Sequence, residues 1–163
     1  MNVFDVIGPV MIGPSSSHTA CAARHGNIAR PLLRGNPVRA VIGLHGSFAK
    51  TGQGHGTDKA LTAGILGMLP GDIRIRNSLT LAKEAGLSVT FEEVEIDGAH
   101  PNTARITLWN EQGESVTVQG ASIGGGEILI TRIDGMAVEI SGNLPTLLVL
   151  HRDVPGVIAG VTN

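Results

Sequence analysis

Val38-Arg39-Ala40-Val41-Ile42-Gly43-Leu44-His45-Gly46-Ser47-Phe48 alternates, with Val38, Ala40, Ile42, Leu44, Gly46 and Phe48 on one face and the intervening residues on the other. A period of two predicts a β-strand. It runs into a glycine-rich segment, 49–56, which reads as a loop. Thr57 is then placed to cap a helix whose Leu61, Ile65, Leu66 and Leu69 recur at helical spacing up to Pro70-Gly71. In such a unit the loop at the strand's carboxyl end is where ligands bind, because strand ends and helix N-termini converge there. That loop carries Gly52-Gln53-Gly54-His55-Gly56-Thr57-Asp58-Lys59.

Upstream, Met1 to Val10 is short and apolar and reads equally as a strand or a first helical turn. Ile12-Gly13-Pro14-Ser15-Ser16-Ser17-His18-Thr19 follows, directly before an alanine-rich helix expected from Ser17 to about Arg34, with a kink or early end near Arg30 imposed by Pro31. Gly-Pro fixes a bend, serine and threonine cap helices, and the first free N–H groups of a helix point at whatever lies in front of them. Both clusters have the composition of a small anion site, and they are expected to face each other.

Downstream, Asn77 or Ser78 caps a short helix that Gly86 stops. Leu87, Val89 and Phe91 then alternate, and the phase slips near Glu92-Glu93. Further strands are marked by Ala104, Ile106 and Leu108, by Val116 and Val118, by Ile128 and Ile130, and, after an Asp134-Gly135 hairpin turn, by Met136, Val138 and Ile140. This half reads as an antiparallel meander. The fold class is therefore α+β, with an α/β-type N-terminal half and an antiparallel, strand-rich C-terminal half. From Leu144 a new apolar strand (Leu147 to Leu150) and a Pro155-Gly156 turn open, read as a domain cut short or an end that pairs with another subunit.

Composition limits what the two clusters could serve. A chain of 163 residues, 42% hydrophobic and 16% charged, is long enough for one domain with a real core. A net charge of −2 with 2% aromatic residues leaves neither a basic footprint nor a stacking platform for nucleic acid. Apolar runs fall well short of the roughly 20 residues a membrane span needs, and the N-terminus lacks the basic start of a signal peptide, so a cytoplasmic protein without nucleic-acid or membrane partners is expected. The single cysteine, Cys21, can make no internal disulfide and hold no cluster by itself.

The hydroxyls of Ser15, Ser16, Ser17 and Thr19 suit a carboxylate or phosphate, with His18 as charge-neutralising donor or proton carrier. Lys50, Thr51, Asp58 and Lys59 flank His55, and His100-Pro101-Asn102-Thr103 is either a plain turn or the source of a third polar group. No Gly-x-Ser-x-Gly elbow is present for a serine hydrolase. No close histidine pair points to zinc. Gly124-Gly125-Gly126 precedes a strand, not a helix, so it is not a dinucleotide fingerprint.

Taken together, Ile12 to Thr19, Leu44-His-Gly-Ser-Phe-Ala-Lys50, Gly54-His-Gly-Thr-Asp-Lys-Ala60, His100-Pro-Asn-Thr103 and Ser122-Ile-Gly-Gly-Gly126 resemble the β chain or β domain of iron-sulfur-dependent bacterial L-serine dehydratases. The resemblance implies a β domain over 1–143 and, in 144–163, the start of a regulatory ACT-like domain, since His151-Arg-Asp-Val-Pro-Gly156 is similar to its opening. Cys21, where glycine is usual, and Pro31 depart from the family pattern. The implied reaction is that of L-serine ammonia-lyase, L-serine to pyruvate and ammonia. A 4Fe-4S cluster would be held by cysteines of a partner α chain or domain, no metal on this chain, and the isolated chain would be inactive. Ser15, Ser16, Ser17, Thr19, Lys50 and Asn102 are then expected on the substrate, and His18 and His55 in proton handling, in a β domain that forms a homodimer. This part of the family is similar to the allosteric substrate-binding domain of phosphoglycerate dehydrogenases. The alternative it offers is a non-catalytic module that binds serine or another small anion.

Overall fold

The structure is a computed structural model of the chain and describes residues 10–152 and 154–162. The expectation for the first ten residues lies outside these but for Val10.

One mixed sheet of six strands carries the fold, in the order β2-β1-β3-β4-β5-β6. β1 (Pro37–Leu44) is the strand expected from its alternation, with Ala40, Ile42 and Leu44 turned into the core. It stops at Leu44, short of Phe48. β2 (Ser88–Glu93) pairs parallel with β1, so it belongs to the α/β unit and not to the meander assigned above. The phase slip at Glu92-Glu93 is the end of that strand, where the Val94 N–H still reaches the Leu44 carbonyl. β3 (Thr103–Asn110), β4 (Ser115–Gly124), β5 (Glu127–Ile133) and β6 (Met136–Ile140) form the expected antiparallel meander. Asp134 and Gly135 both take positive φ, 47° and 80°, as a two-residue hairpin turn of the right twist requires. The architecture is thus α+β.

Five α-helices complete it: α1 (Cys21–Leu32), α2 (Ser47–His55), α3 (Thr57–Ile65), α4 (Ser78–Glu84) and α5 (Val157–Thr162). α1 packs over β3, β4 and β5, and α3 packs along α1. The α1–α3 contact is backbone against backbone. A Cβ on Gly26 would lie 2.5 Å from the Leu61 carbonyl oxygen, and one on Gly64 would overlap that of Ala23. Only glycine at both positions lets the two helices lie this close.

Local expectations are corrected at several points. Segment 47–55 is helical, because Phe48 is fully buried and anchors it and the Thr51 hydroxyl donates to the Ser47 carbonyl along it. Tertiary packing here outweighs the poor propensity of Gly52 and Gly54. Gly56, with φ 72°, breaks α2 from α3 and caps α3 in the place expected of Thr57. α1 ends at Leu32, one residue past Pro31 and short of Arg34, close to the early end expected of that proline. Finally, 144–150 forms no strand. It has no regular secondary structure and joins no sheet, with Leu148 packed on the core and Leu144, Leu147 and Leu150 exposed.

Among the described residues no helix is long and apolar enough to cross a membrane.

Candidate functional site

The chain enters the site through Ile12, whose N–H bonds the Pro70 carbonyl beyond the end of α3. Gly13 follows with φ 150°, and any Cβ there would overlap the Thr19 side chain. Ser15 then starts a single π-helical turn, Ser16–Ala20, which leads into α1, with the Cys21 N–H bonding the Ser16 carbonyl. Such turns widen the helix by one residue and recur at functional sites. Here the turn carries His18 and Thr19 towards α2.

On α2, Ser47, Thr51 and His55 are four residues apart and share one face. That face meets the π turn. The His18 and His55 ring centroids are 4.9 Å apart, and His18 lies edge-on to Phe48 at 5.2 Å. The two clusters read from the sequence therefore do face each other. The Thr19 hydroxyl adds a link, donating to the His55 carbonyl at 3.3 Å.

The hydrogen bonds fix both tautomers. His55 Nδ1 is 3.0 Å from the Thr51 carbonyl, which can only accept, so Nδ1 carries the proton. Its Nε2 is left with a lone pair and no partner among the described residues. The Thr51 hydroxyl spends its hydrogen on the Ser47 carbonyl at 2.8 Å, so at 3.0 Å from His18 Nε2 it accepts, and His18 carries its proton on Nε2. Ser15 Oγ accepts from the His18 N–H at 3.2 Å and lies 3.4 Å from His18 Nδ1, to which it can donate. Burial, and secondly the charge of a protonated His55, push the His18 pKa below its ordinary value. His18 is thus held neutral and saturated, while His55 keeps a free basic nitrogen.

His55 opens onto a cleft of about 300 Å³ lined by Gly13, Thr19, Gly56, Lys59, Ile75 and Arg76, among others. Ser16 and Ser17 are half-buried with no hydrogen-bond partner for their hydroxyls among the described residues. Lys50 is exposed on α2, and neither it nor Ser15, Ser16, Ser17, His18 or Asn102 lines the cleft; of the expected site residues the cleft takes Thr19 and His55. Asn102 lies on the loop before β3, whose Pro101 carbonyl accepts from the Ser47 N–H. Its own carbonyl accepts from the Ser122 N–H, and its Oδ1 is buried without a partner. Lys59 was noted in the sequence only as a neighbour of His55. Arg76 was missed, since nothing in its spacing ties it to a motif sixty residues earlier.

The residues present do not fit an iron-sulfur cluster. No group of three His, Cys, Asp or Glu side chains among the described residues could hold a metal ion. Cys21 is fully buried, its sulfur is 3.3 Å from the Glu127 carbonyl, and burial pushes its thiol pKa up, away from the thiolate a cluster needs.

Two histidines of fixed tautomer thus meet on facing helical segments, and one of them, His55, lines a small cleft with Lys59 and Arg76, an arrangement that can exchange a proton with a small polar ligand. Comparison with known proteins gives the family. Residues 2–86 match the family model described as serine dehydratase beta chain. The chain is 49% identical over 162 residues to the probable L-serine dehydratase, beta chain, of Bacillus subtilis (strain 168), and 45% identical over 163 residues to the L-serine dehydratase, beta chain, of Peptoniphilus asaccharolyticus, covering 99% of this chain and 73% of each relative. It is also 28% identical over 169 residues to L-serine dehydratase TdcG of Escherichia coli (strain K12), covering 89% of this chain and 37% of that one. The chain belongs to the serine dehydratase β-chain family.

Proposed function

We propose that this chain is the β component of an L-serine dehydratase and supplies the proton-handling half of an active site completed by a partner α chain. The single observation that carries the division of labour is the fixed tautomer of His55, which leaves Nε2 as a free base at the cleft. In the overall reaction L-serine loses its α-proton and its hydroxyl as water. The resulting aminoacrylate takes up water and releases ammonia to leave pyruvate.

His55 Nε2 removes the α-proton. The positive charge it gains is shared through Nδ1–H with the Thr51 carbonyl. His18, saturated by Ser15 and Thr51, holds α2 and the π turn in register and stays neutral beside it. Ser16 and Ser17, on the turn beside His55, offer free hydroxyls to the polar groups of the substrate. Ser15 and Thr19 complete the same shelf from behind, through His18 and the His55 carbonyl. Asn102, whose Oδ1 is buried without a partner, and Lys50, exposed on α2, reach a substrate only in the site closed by the partner chain. Departure of the hydroxyl is left to the α chain, where the family resemblance puts a 4Fe-4S cluster. Homodimerisation of the β domain, and a regulatory domain opening at residues 144–163, belong to the same proposal.

The test is reconstitution. This chain mixed with its α partner should form pyruvate from L-serine, and neither alone should. Pyruvate formation by the α chain alone at the rate of the mixture would refute the division.

A further inference from the structure

We infer that Lys59 and Arg76 form a cationic pair that selects the carboxylate of the substrate at the mouth of the cleft, an inference that rests on the dehydratase reading above. Both residues line the same small cavity as His55 and Thr19. Neither makes an ion pair or a hydrogen bond through its side chain among the described residues, although the chain carries more acidic than basic groups. The carboxylate nearest Arg76 in sequence, Asp72, pairs with Arg74 at 2.6 Å, and Asp58, next to Lys59, lines a different cavity with Leu44 and Phe91 and makes no ion pair with Lys59.

The two cations are set in place by the fold. The 3-10 turn Ile73–Asn77 inserts Ile75 into a small core with Ala63 and Met68, which leaves the residues on either side of it facing outward. Ser78, fully buried, donates its hydroxyl at 2.7 Å to the carbonyl of Lys59. One bond thereby ties the segment bearing Arg76 to the residue bearing the other charge. Two unpaired cations held together beside a base, in a cavity with room only for a small ligand, favour an anion over a neutral group of the same shape. The base needs its substrate's α-carbon, and the carboxylate is the one anionic group attached to it.

The assembled enzyme, with full-length chains, provides the test, using L-serine and its neutral analogue L-serinamide as a competing ligand. Lys59→Met and Arg76→Met should each raise KM for L-serine by about tenfold or more, with a smaller fall in kcat, the scale expected for one charge-assisted contact. Inhibition by serinamide should change less than twofold. Lys59→Arg and Arg76→Lys should recover most of the loss, which a misfolded variant would not allow. A wild-type KM in the Lys59→Met/Arg76→Met double variant, or a parallel loss of serinamide binding, would overturn the pair. Loss of turnover in His55→Ala reports on the dehydratase reading separately: it can hold while the pair fails, and it can fail while the pair still binds serine.

Discussion

Thr51 ties His18 to His55: its hydroxyl accepts from His18 Nε2 at 3.0 Å and its carbonyl accepts from His55 Nδ1 at 3.0 Å. One residue thus sets both protonation patterns, and the backbone half of that control survives any change of side chain.

Thr51→Val should therefore act on His18 alone. With the shorter acceptor for Nε2–H gone and only Ser47 Oγ, at 3.5 Å, left to replace it, turnover of the assembled enzyme should fall by roughly three- to tenfold, the worth of one hydrogen bond, and Thr51→Ser should restore it. Steady-state kinetics on the three proteins decide this.

Packing positions the same pair from a distance. Gly26→Ala and Gly64→Ala push α1 and α3 apart, and each should cost about 1–3 kcal/mol of stability, measured by urea unfolding. Because α1 continues the turn bearing His18 and α3 follows directly on His55, turnover should fall with them.

His25 lies fully buried in α1, with neither ring nitrogen hydrogen-bonded among the described residues, close enough to β4 that a Cβ on Gly120 would sit 3.1 Å from its Nε2. Burial lowers its pKa from 6.5 to about 4. Above pH 6.5 the ring is neutral folded or unfolded and contributes nothing to the pH dependence. Between 6.5 and about 4 only the unfolded chain takes up the proton, so stability should drop as the pH falls, by about 3 kcal/mol in all. His25→Leu should remove this part of the acid sensitivity. An unchanged pH–stability curve in that variant would show that other groups carry it.

Cys21 gives a prediction of the opposite kind. Its buried sulfur is engaged with the Glu127 carbonyl, so Cys21→Ala should leave the iron content of the assembled enzyme unchanged by metal analysis. A loss of iron would mean that this chain ligates it.

Much of this was legible in the sequence. The alternation of Ala40, Ile42 and Leu44 marks β1, Asp134-Gly135 marks the β5–β6 hairpin, and the matching grammar of the clusters at His18 and His55 places them together. What was not legible came from tertiary contact. Glycines at 52 and 54 argue locally for a loop, and only the burial of Phe48 makes 47–55 a helix. The signal available was the four-residue spacing of Ser47, Thr51 and His55. Strand β2 reads as the first strand of the meander because alternation says nothing about partner or direction. Arg76 reaches the cleft through the Ser78–Lys59 bond, a contact between segments that no local pattern encodes.

The central claim is that the free nitrogen of His55 is the base for the α-proton. Turnover of L-serine by His55→Ala, measured in the assembled enzyme at iron content equal to the parent, tests it most directly. The account predicts a fall of about 10²–10⁴-fold, the contribution of a positioned general base. Turnover within a few-fold of the parent would contradict it.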